Sequence, residues 1–390
     1  MMTKEDVEAL LRWFDDSKRD LPWRHTADPY EIWVSEIMLQ QTRVEAVKPY
    51  YSNFLNKYPN VDALAKAEDD DLVRIWEGLG YYSRVRNMHK AAVDVMILHG
   101  GLFPVSYEVL KTLPGIGDYT AGAVSSIAGG ENVPAVDGNV LRVYTRFTAD
   151  LEEITDAKCV KRIRGELAGI MRERMREEDT TAQKDNNKRS EKKSGLEVCL
   201  EDNPKETPEG VYTPGKFNSA MMELGAVICL PNGEPKCEEC PLKANCRAFA
   251  EGTMTEYPKK APKKARRIEE RTIFIIESTG GIALRKRAEK GLLAGMYEFP
   301  GCDGHLEKKE AEKYLKSLGY HPLRIKRVED AKHIFSHVEW HMRAFYALID
   351  DFVDPVKEDK RQGIFFVTKE ERMEGYALPS AFAAYKKYIQ

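Results

Sequence analysis

The stretch LPGIGDYTAGAVSSIA, residues 113–128, decides how the first part of the chain folds. Gly115 and Gly117 flank one apolar residue, Leu113-Pro114 precedes them, and a Thr/Ala-rich segment with helical spacing follows. Two glycines so placed permit a tight hairpin between helices and leave backbone N–H groups exposed at the start of the second helix. Such a helix start holds a phosphate without reading a base. A lone G-x-G marks only a turn, so its neighbours must decide.

Those neighbours are helical. KEDVEALLRWFDD, PYEIWVSEIMLQQT, AVKPYYSNFLNKY, DDDLVRIWEGL and VRNMHKAAVDVMIL carry apolar residues at three-to-four spacing, punctuated by Pro22, Pro29, Pro59, Pro104 and the pair Gly100-Gly101. No Val/Ile-rich alternating segment interrupts them, so residues 5 to about 175 read as all-α. Residues 177–210 have no aromatic and few apolar residues, which predicts a disordered insertion. Helical spacing returns at FNSAMMELGAVI. Residues 251–270 read as a basic linker whose YPKKAPKKARR carries six cations, either simply solvated or contacting phosphates or a partner. From 271 the period changes. RTIFIIES, GIALRKR, GMYEFPG, HMRAFYALID and QGIFFVTK predict strands and EKKEAEKYLKSLG a helix, which makes a second, α+β domain over 271–390.

At 390 residues the chain exceeds one ordinary core, in keeping with a multidomain protein. Hydrophobic residues make up 42% and charged residues 32%, as in a soluble globular protein. The net charge of −3 excludes a uniformly basic nucleic-acid binder but not a local basic surface. MMTKEDVEALLRWFDDS lacks the apolar core of a signal peptide, and no later run is long enough to span a membrane. The expectation is a cytoplasmic protein.

Of seven cysteines, Cys229, Cys237, Cys240 and Cys246 fall within eighteen residues as C-x7-C-x2-C-x5-C. Disulfides do not cluster this way in a reducing compartment, whereas metal ligands do. Four thiolates in so short a loop hold a tetrahedral zinc or a [4Fe–4S] cluster. Zinc sites usually show two C-x2-C pairs, and this loop has one.

Two carboxylates stand out. Glu36 has Ile32, Trp33, Leu39 and Gln40 as its helical neighbours. It either reaches solvent at the edge of that face or is desolvated, with a raised pKa. Asp137, in VPAVDGNVLRV, reads as the N-cap of the helix that follows, where free N–H groups and the helix dipole favour its ionised form. One carboxyl kept protonated beside one kept ionised makes an acid and an anion at neutral pH. Cleavage of a glycosidic bond uses that pair, a proton donor for the leaving group and an anion beside the cationic sugar.

The hairpin with Asp137 twenty residues beyond Gly117 resembles the endonuclease III-like DNA glycosylase superfamily. Further motifs narrow the resemblance: LPWR (21–24), SEIMLQQTRV (35–44), GLGYYSRVRN (78–87), VDGNVLRV (136–143) and FNSAMMELGAVIC (217–229) are similar to MutY-type adenine DNA glycosylases over almost the whole chain. The resemblance implies a helix-hairpin-helix glycosylase domain over 1–250 and a Nudix-like 8-oxoguanine-recognition domain over 271–390. It also implies a [4Fe–4S] cluster on the four cysteines in loop 229–246. The substrate would be double-stranded DNA with adenine opposite 8-oxoguanine or guanine, bound by a monomer with no membrane association.

By the same resemblance Glu36 is the acid that protonates adenine and Asp137 stabilises the oxocarbenium ion. Asn139 positions Asp137, and Tyr119 shapes the adenine pocket. Arg19, Trp23 and Arg24 lie near that pocket. Gln41, Thr42 and Tyr81 engage the stack beside 8-oxoguanine, Gly115 and Gly117 hold the backbone, and Ser336 and His337 of FSHVEW (335–340) read 8-oxoguanine. The chain departs from the family at Ser219, where Gln or Glu is usual, in one extra residue in the first cysteine gap, and in the long insertion before Tyr212.

The main alternative is a bifunctional endonuclease III-like glycosylase/lyase on oxidised pyrimidines, but Tyr119 stands where the Schiff-base lysine would be. A nucleotide pyrophosphohydrolase needs a glutamate-rich Nudix helix, which HLEKKEAEKYLKSLG lacks. A non-enzymatic iron–sulfur scaffold has no use for the two carboxylates.

Overall fold

The computed structural model of the chain describes residues 2–189, 211–262, 265–288, 290–350, 363–368, 371, 376 and 378–388. It divides into two compact units, Met1–Ala67 with Arg86–Pro262, and Glu68–Val85 with Lys263–Gln390. The helices, in chain order, are α1 Lys4–Ser17, α2 Pro29–Leu39, α3 Val44–Lys57, α4 Val61–Ala65, α5 Asp69–Ile75, α6 Ser83–Leu98, α7 Tyr107–Leu110, α8 Asp118–Ile127, α9 Gly138–Thr148, α10 Ala157–Arg189, α11 Pro214–Val227, α12 Arg247–Ala250 and α13 Lys308–Ser317. None of the described helices is long and apolar enough to cross a membrane.

Local chemistry sets the starts that matter. Thr3 and Asp6 cap α1 reciprocally. Asp28 caps α2 and Thr213 caps α11, each followed by proline at the first helical position. Asp137 caps α9 through Val140 N–H. In the hairpin, Gly115 has φ +78°, and a Cβ there would stand 2.6 Å from Cβ of Asn87, so only glycine fits.

The core of the first unit joins Leu10 and Leu11 of α1, Val140, Val143 and Tyr144 of α9, Ile163 and Leu167 of α10, and Phe217, Met221 and Leu224 of α11. Burying each such side chain contributes about 1.5–3 kcal/mol. Helix α11 packs on α1, α8 and α9. A Cβ on Gly225 would lie 2.5 Å from Cβ of Asn139, so the backbone of α11 rests directly on the first turn of α9.

Helix α10 continues to Arg189, into the stretch whose composition predicts disorder. Adding a residue to an existing helix costs far less than starting one, and Arg, Glu, Gln and Lys are good helix formers without burial. The remainder of that predicted insertion, 190–210, lies outside the described residues.

The second unit is built on a mixed sheet of β1 Arg267–Ser278, β2 Gly281–Lys286, β3 Tyr297–Glu298, β4 Gly301–Asp303, β5 Pro322–Arg327, β6 Ala331–Ile334, β7 Val338–Ile349 and β8 Ile364–Val367. Its order is β3-β2-β1-β7-β5, with β4 on β1, β6 on β7 and β8 on β2. The central pair, β1 and β7, is parallel from Arg267↔Val338 to Glu277↔Leu348, and the other pairs are antiparallel. Alternate residues of β1 enter different cores: Ile273 and Ile275 join Leu284, Trp340 and Phe382, while Phe274 and Ile276 join Leu315 of α13 and Phe345. Burial on both faces explains the unbroken apolar run IFII. Strand β1 starts at Arg267, within the stretch read as linker, because its pairing with β7 comes from the backbone and needs no apolar side chain.

Gly225→Ala is expected to destabilise the protein by about 1–3 kcal/mol through overpacking. Denaturant unfolding measures this, with Gly165→Ala as the control, since a Cβ there meets nothing within 4 Å.

Candidate active site

A cleft of about 1360 Å³ opens in the first unit between α2, the starts of α8 and α9, α11 and the segment between α1 and α2. Glu36, Tyr119, Asp137, Asn139, Arg19, Trp23, Arg24, Gln41 and Thr42 all line it, as does Ser219. These predicted residues come from segments far apart in sequence.

Glu36 is 5% exposed on the inner face of α2, so it does not take the solvent-edge position. Tyr119 Oη donates to Glu36 Oε2 at 2.5 Å and also contacts Met222 Sδ at 3.3 Å. Burial is the main cause that pushes the Glu36 carboxyl up to about 7; the Tyr119 hydrogen bond opposes it, Asp137 reinforces it, and Arg24 opposes it more weakly. Asp137 Oδ1 accepts from Val140 N–H at 2.8 Å, and Oδ2 accepts from Asn139 Nδ2 at 2.7 Å. The helix start is not the only influence on Asp137. Burial pushes its carboxyl above the ordinary value, against the opposing hydrogen bonds from Val140 and Asn139 and the charge of Arg142.

Arg142 fastens this bracket to the cysteine loop. It donates to Asn139 Oδ1 at 2.9 Å, to the Gly225 carbonyl at 2.6 Å and to the Cys229 carbonyl at 2.7 Å.

The arginines at the cleft wall converge on Glu223, which sequence reasoning missed. Arg19 Nε and Nη2 donate to its two carboxylate oxygens at 2.7 Å each. Arg24 Nη2 donates to Oε2 at 2.7 Å, and Arg24 Nη1 donates to the Arg19 carbonyl at 2.6 Å. Burial would raise the Glu223 carboxyl, but these donors outweigh it and hold it at about 2. The available signal was a glutamate on the largely apolar helix FNSAMMELG. Deeper in the wall Lys216 pairs with Asp15 at 2.6 Å. Trp23 is buried edge-on against Tyr51, with ring centroids 5.4 Å apart. Gln41 sits at φ +56°, a left-handed conformation in the turn after α2.

Gly117 is the N-cap of α8 and supplies no side-chain acceptor to the first turn. Asp118, also missed, ties the hairpin together. It accepts from Tyr107 Oη at 2.7 Å and from Arg164 Nη1 at 2.6 Å, and it pairs with Lys111 at 3.1 Å. The Tyr107 hydrogen bond, then those of Arg164 and Lys111, hold its carboxyl at about 2 despite some burial.

Cys229, Cys237, Cys240 and Cys246 line one small cavity walled by Val143, Phe147, Leu224 and Leu242. Arg146 Nη1 donates to Cys229 Sγ at 3.3 Å. Burial pushes the thiols of Cys237 and Cys246 up, and that of Cys240 to about 12. Among the described residues no group of three or more His, Cys, Asp or Glu side chains is arranged to hold a single metal ion.

Tyr81, Ser336 and His337 belong to the second unit. Tyr81 is 48% exposed at φ +49°, and the Arg84 guanidinium lies 5.6 Å from the centre of its ring. Ser336 Oγ and His337 Nδ1 are 3.1 Å apart in the exposed turn between β6 and β7.

Residues 34–167 match the family model of the HhH-GPD superfamily base excision DNA repair protein, and residues 272–388 match that of the NUDIX domain. The mouse adenine DNA glycosylase is 31% identical across 87% of this chain and 70% of its own length. That of Buchnera aphidicola from Acyrthosiphon pisum is 30% identical across 95% of this chain and 94% of its own. That of Schizosaccharomyces pombe is 30% identical across 87% and 81%. A helical repair fold, a Nudix-like second unit and identity sustained across both units lead to one conclusion: the chain belongs to the adenine DNA glycosylase family.

Proposed function

We propose that this base-excision-repair enzyme hydrolyses the N-glycosidic bond of adenine paired with 8-oxoguanine or guanine in duplex DNA. One observation carries the reading: a buried carboxyl, Glu36, raised to about 7, lies in the same cleft as Asp137 bracketed by hydrogen-bond donors. The adenine nucleotide leaves the stack and enters this cleft. Tyr119 occupies Oε2 of Glu36, leaving Oε1 to present the proton to adenine N7. The bond between sugar and base then breaks, the base keeping the bonding electron pair. Asp137, oriented by Asn139, stabilises the cationic sugar until water adds. Tyr119 offers no amine for a Schiff base, so the product is an intact abasic strand.

The four cysteines fit a [4Fe–4S] cluster. Their thiols line one common cavity, and Arg146 donates to one sulfur. The cluster would pin loop 229–246, whose Cys229 carbonyl holds Arg142. We assign the hairpin glycines to phosphate contact, with Arg19, Trp23, Arg24, Gln41, Thr42 and Tyr81 beside the extruded base and its partner. The catalytic region is taken as 1–250, and Ser336 and His337 of the Nudix-like region 271–390 are assigned to 8-oxoguanine.

Glu36→Gln keeps the shape and removes the proton. Single-turnover adenine excision should fall by about 10²–10⁴-fold or more while duplex binding persists; an active variant contradicts the mechanism. Because the protonated form acts, the wild-type rate should decline as pH rises through about 7. Iron and sulfide analysis of anaerobically purified protein should give about four of each per chain, whereas stoichiometric zinc contradicts the cofactor reading. Ser336→Ala should lower the rate ratio for adenine opposite 8-oxoguanine over guanine by about 2–10-fold, the worth of one neutral hydrogen bond. An unchanged ratio removes Ser336 from that role.

A further inference from the structure

A guanidinium beside a buried carboxyl normally forms an ion pair with it. Arg24 lines the same cleft as Glu36, and its charge favours the ionised Glu36. Such a pair would hold Glu36 as a carboxylate and leave it no proton to give. Yet Glu36 is bonded to Tyr119, and Arg24 is turned to Glu223 and to the Arg19 carbonyl. Glu223 is fully enclosed, with its side chain 1% exposed, and it receives Arg19 through both carboxylate oxygens as well as Arg24. Arg24 is further seated over the Phe14 ring, 5.2 Å from its centre.

We propose that Glu223 is a positioning residue that sequesters the Arg24 guanidinium and so keeps it from pairing with Glu36, preserving Glu36 as a proton donor. This rests on the reading of Glu36 as the acid. The groups acting on Glu36 are Tyr119 from α8, Asp137 at the cap of α9 and Arg24 from the segment before α2. Those acting on Glu223 are Arg19 and Arg24. Arg24 alone is common to both. In the unperturbed arrangement it stabilises Glu36 from a distance after the proton has gone; released from Glu223, it would neutralise the acid beforehand. Glu223 is sealed and the Arg24 side chain is only 21% exposed, so a guanidinium released from Glu223 gains by pairing with the other carboxyl in the cleft.

The test is the pH profile of single-turnover excision from a duplex with adenine opposite guanine, in the full-length protein. Glu223→Gln should move the fall in rate from about 7 to lower pH. The loss should be about 5–50-fold at pH 7, from a shift of about one to two units, with recovery on acidification and little change in duplex affinity. Glu223→Gln/Arg24→Gln should return the break to its wild-type position. A Glu223→Gln profile with the wild-type break, whatever its rate, overturns the proposal.

If Glu223→Gln does not fold, the double variant, which removes one charge of each sign, is compared with Arg24→Gln. Rates within about threefold support action through Arg24, and a further loss beyond about tenfold shows an independent role and overturns it. Glu36→Gln separates the two readings. If it is inactive while the Glu223→Gln break is unmoved, only this proposal fails. If it is active, the acid assignment itself fails.

Discussion

Burial of the Glu36 carboxyl is the constraint around which the first unit is arranged. A carboxyl sealed from water is stable only if it keeps its proton or finds donors. Here the Tyr119 hydroxyl donates to it, and among the described residues no cation is paired with it. Asp137 is buried too and its carboxyl is also raised, but a helix N–H and the Asn139 amide offset part of that burial. The difference between the two carboxyls is therefore a difference in hydrogen-bond supply. That supply is fixed by the fold: Tyr119 needs the hairpin to start α8, and Asp137 needs α9 to begin at Gly138.

The supports of this pair reach outward in a continuous chain. Asp137 is held by Asn139, Asn139 by Arg142, and Arg142 by the Gly225 and Cys229 carbonyls. The absence of a side chain on Gly225 lets α11 come close enough to complete it. Arg146, one turn beyond Arg142, binds Cys229 Sγ and the Leu230 carbonyl. The cysteine loop is thus mechanically tied to a carboxylate in the cleft. The same helix, α11, carries Glu223 on its cleft-facing side, so one element fixes both the anion bracket and the two arginines.

Much of this was legible in the sequence, where the signal is local. The hairpin glycines, the Asp137 cap, the cysteine spacing and the change of period after 270 each depend on residues close together in the chain. The capping arrangement at Asp137 could be read from VDGNV alone. What escaped depends on pairing across the fold. Glu223 meets Arg19 over 204 positions, and Asp118 meets Arg164 over 46. No periodicity announces such partners. The short strands β5 and β6 were missed because PLRIKR and AKHI are largely exposed and owe their pairing to the edge of β7. The run of α10 past 176 escaped because composition reports the lack of a core, not the low cost of extending a helix. The effect of burial on Asp137 was hidden for the opposite reason: the cap is local, but the walls that desolvate it are not.

The most direct test of the central claim is to follow the two carboxyls themselves. Carbon-detected NMR of side-chain-labelled protein, assigned through Glu36→Gln and Asp137→Asn, gives the titration of each group in the free enzyme. Glu36 should keep its proton to about 7, and Asp137 should titrate above the ordinary aspartate value. A Glu36 midpoint near the ordinary glutamate value of about 4.3 would contradict the account.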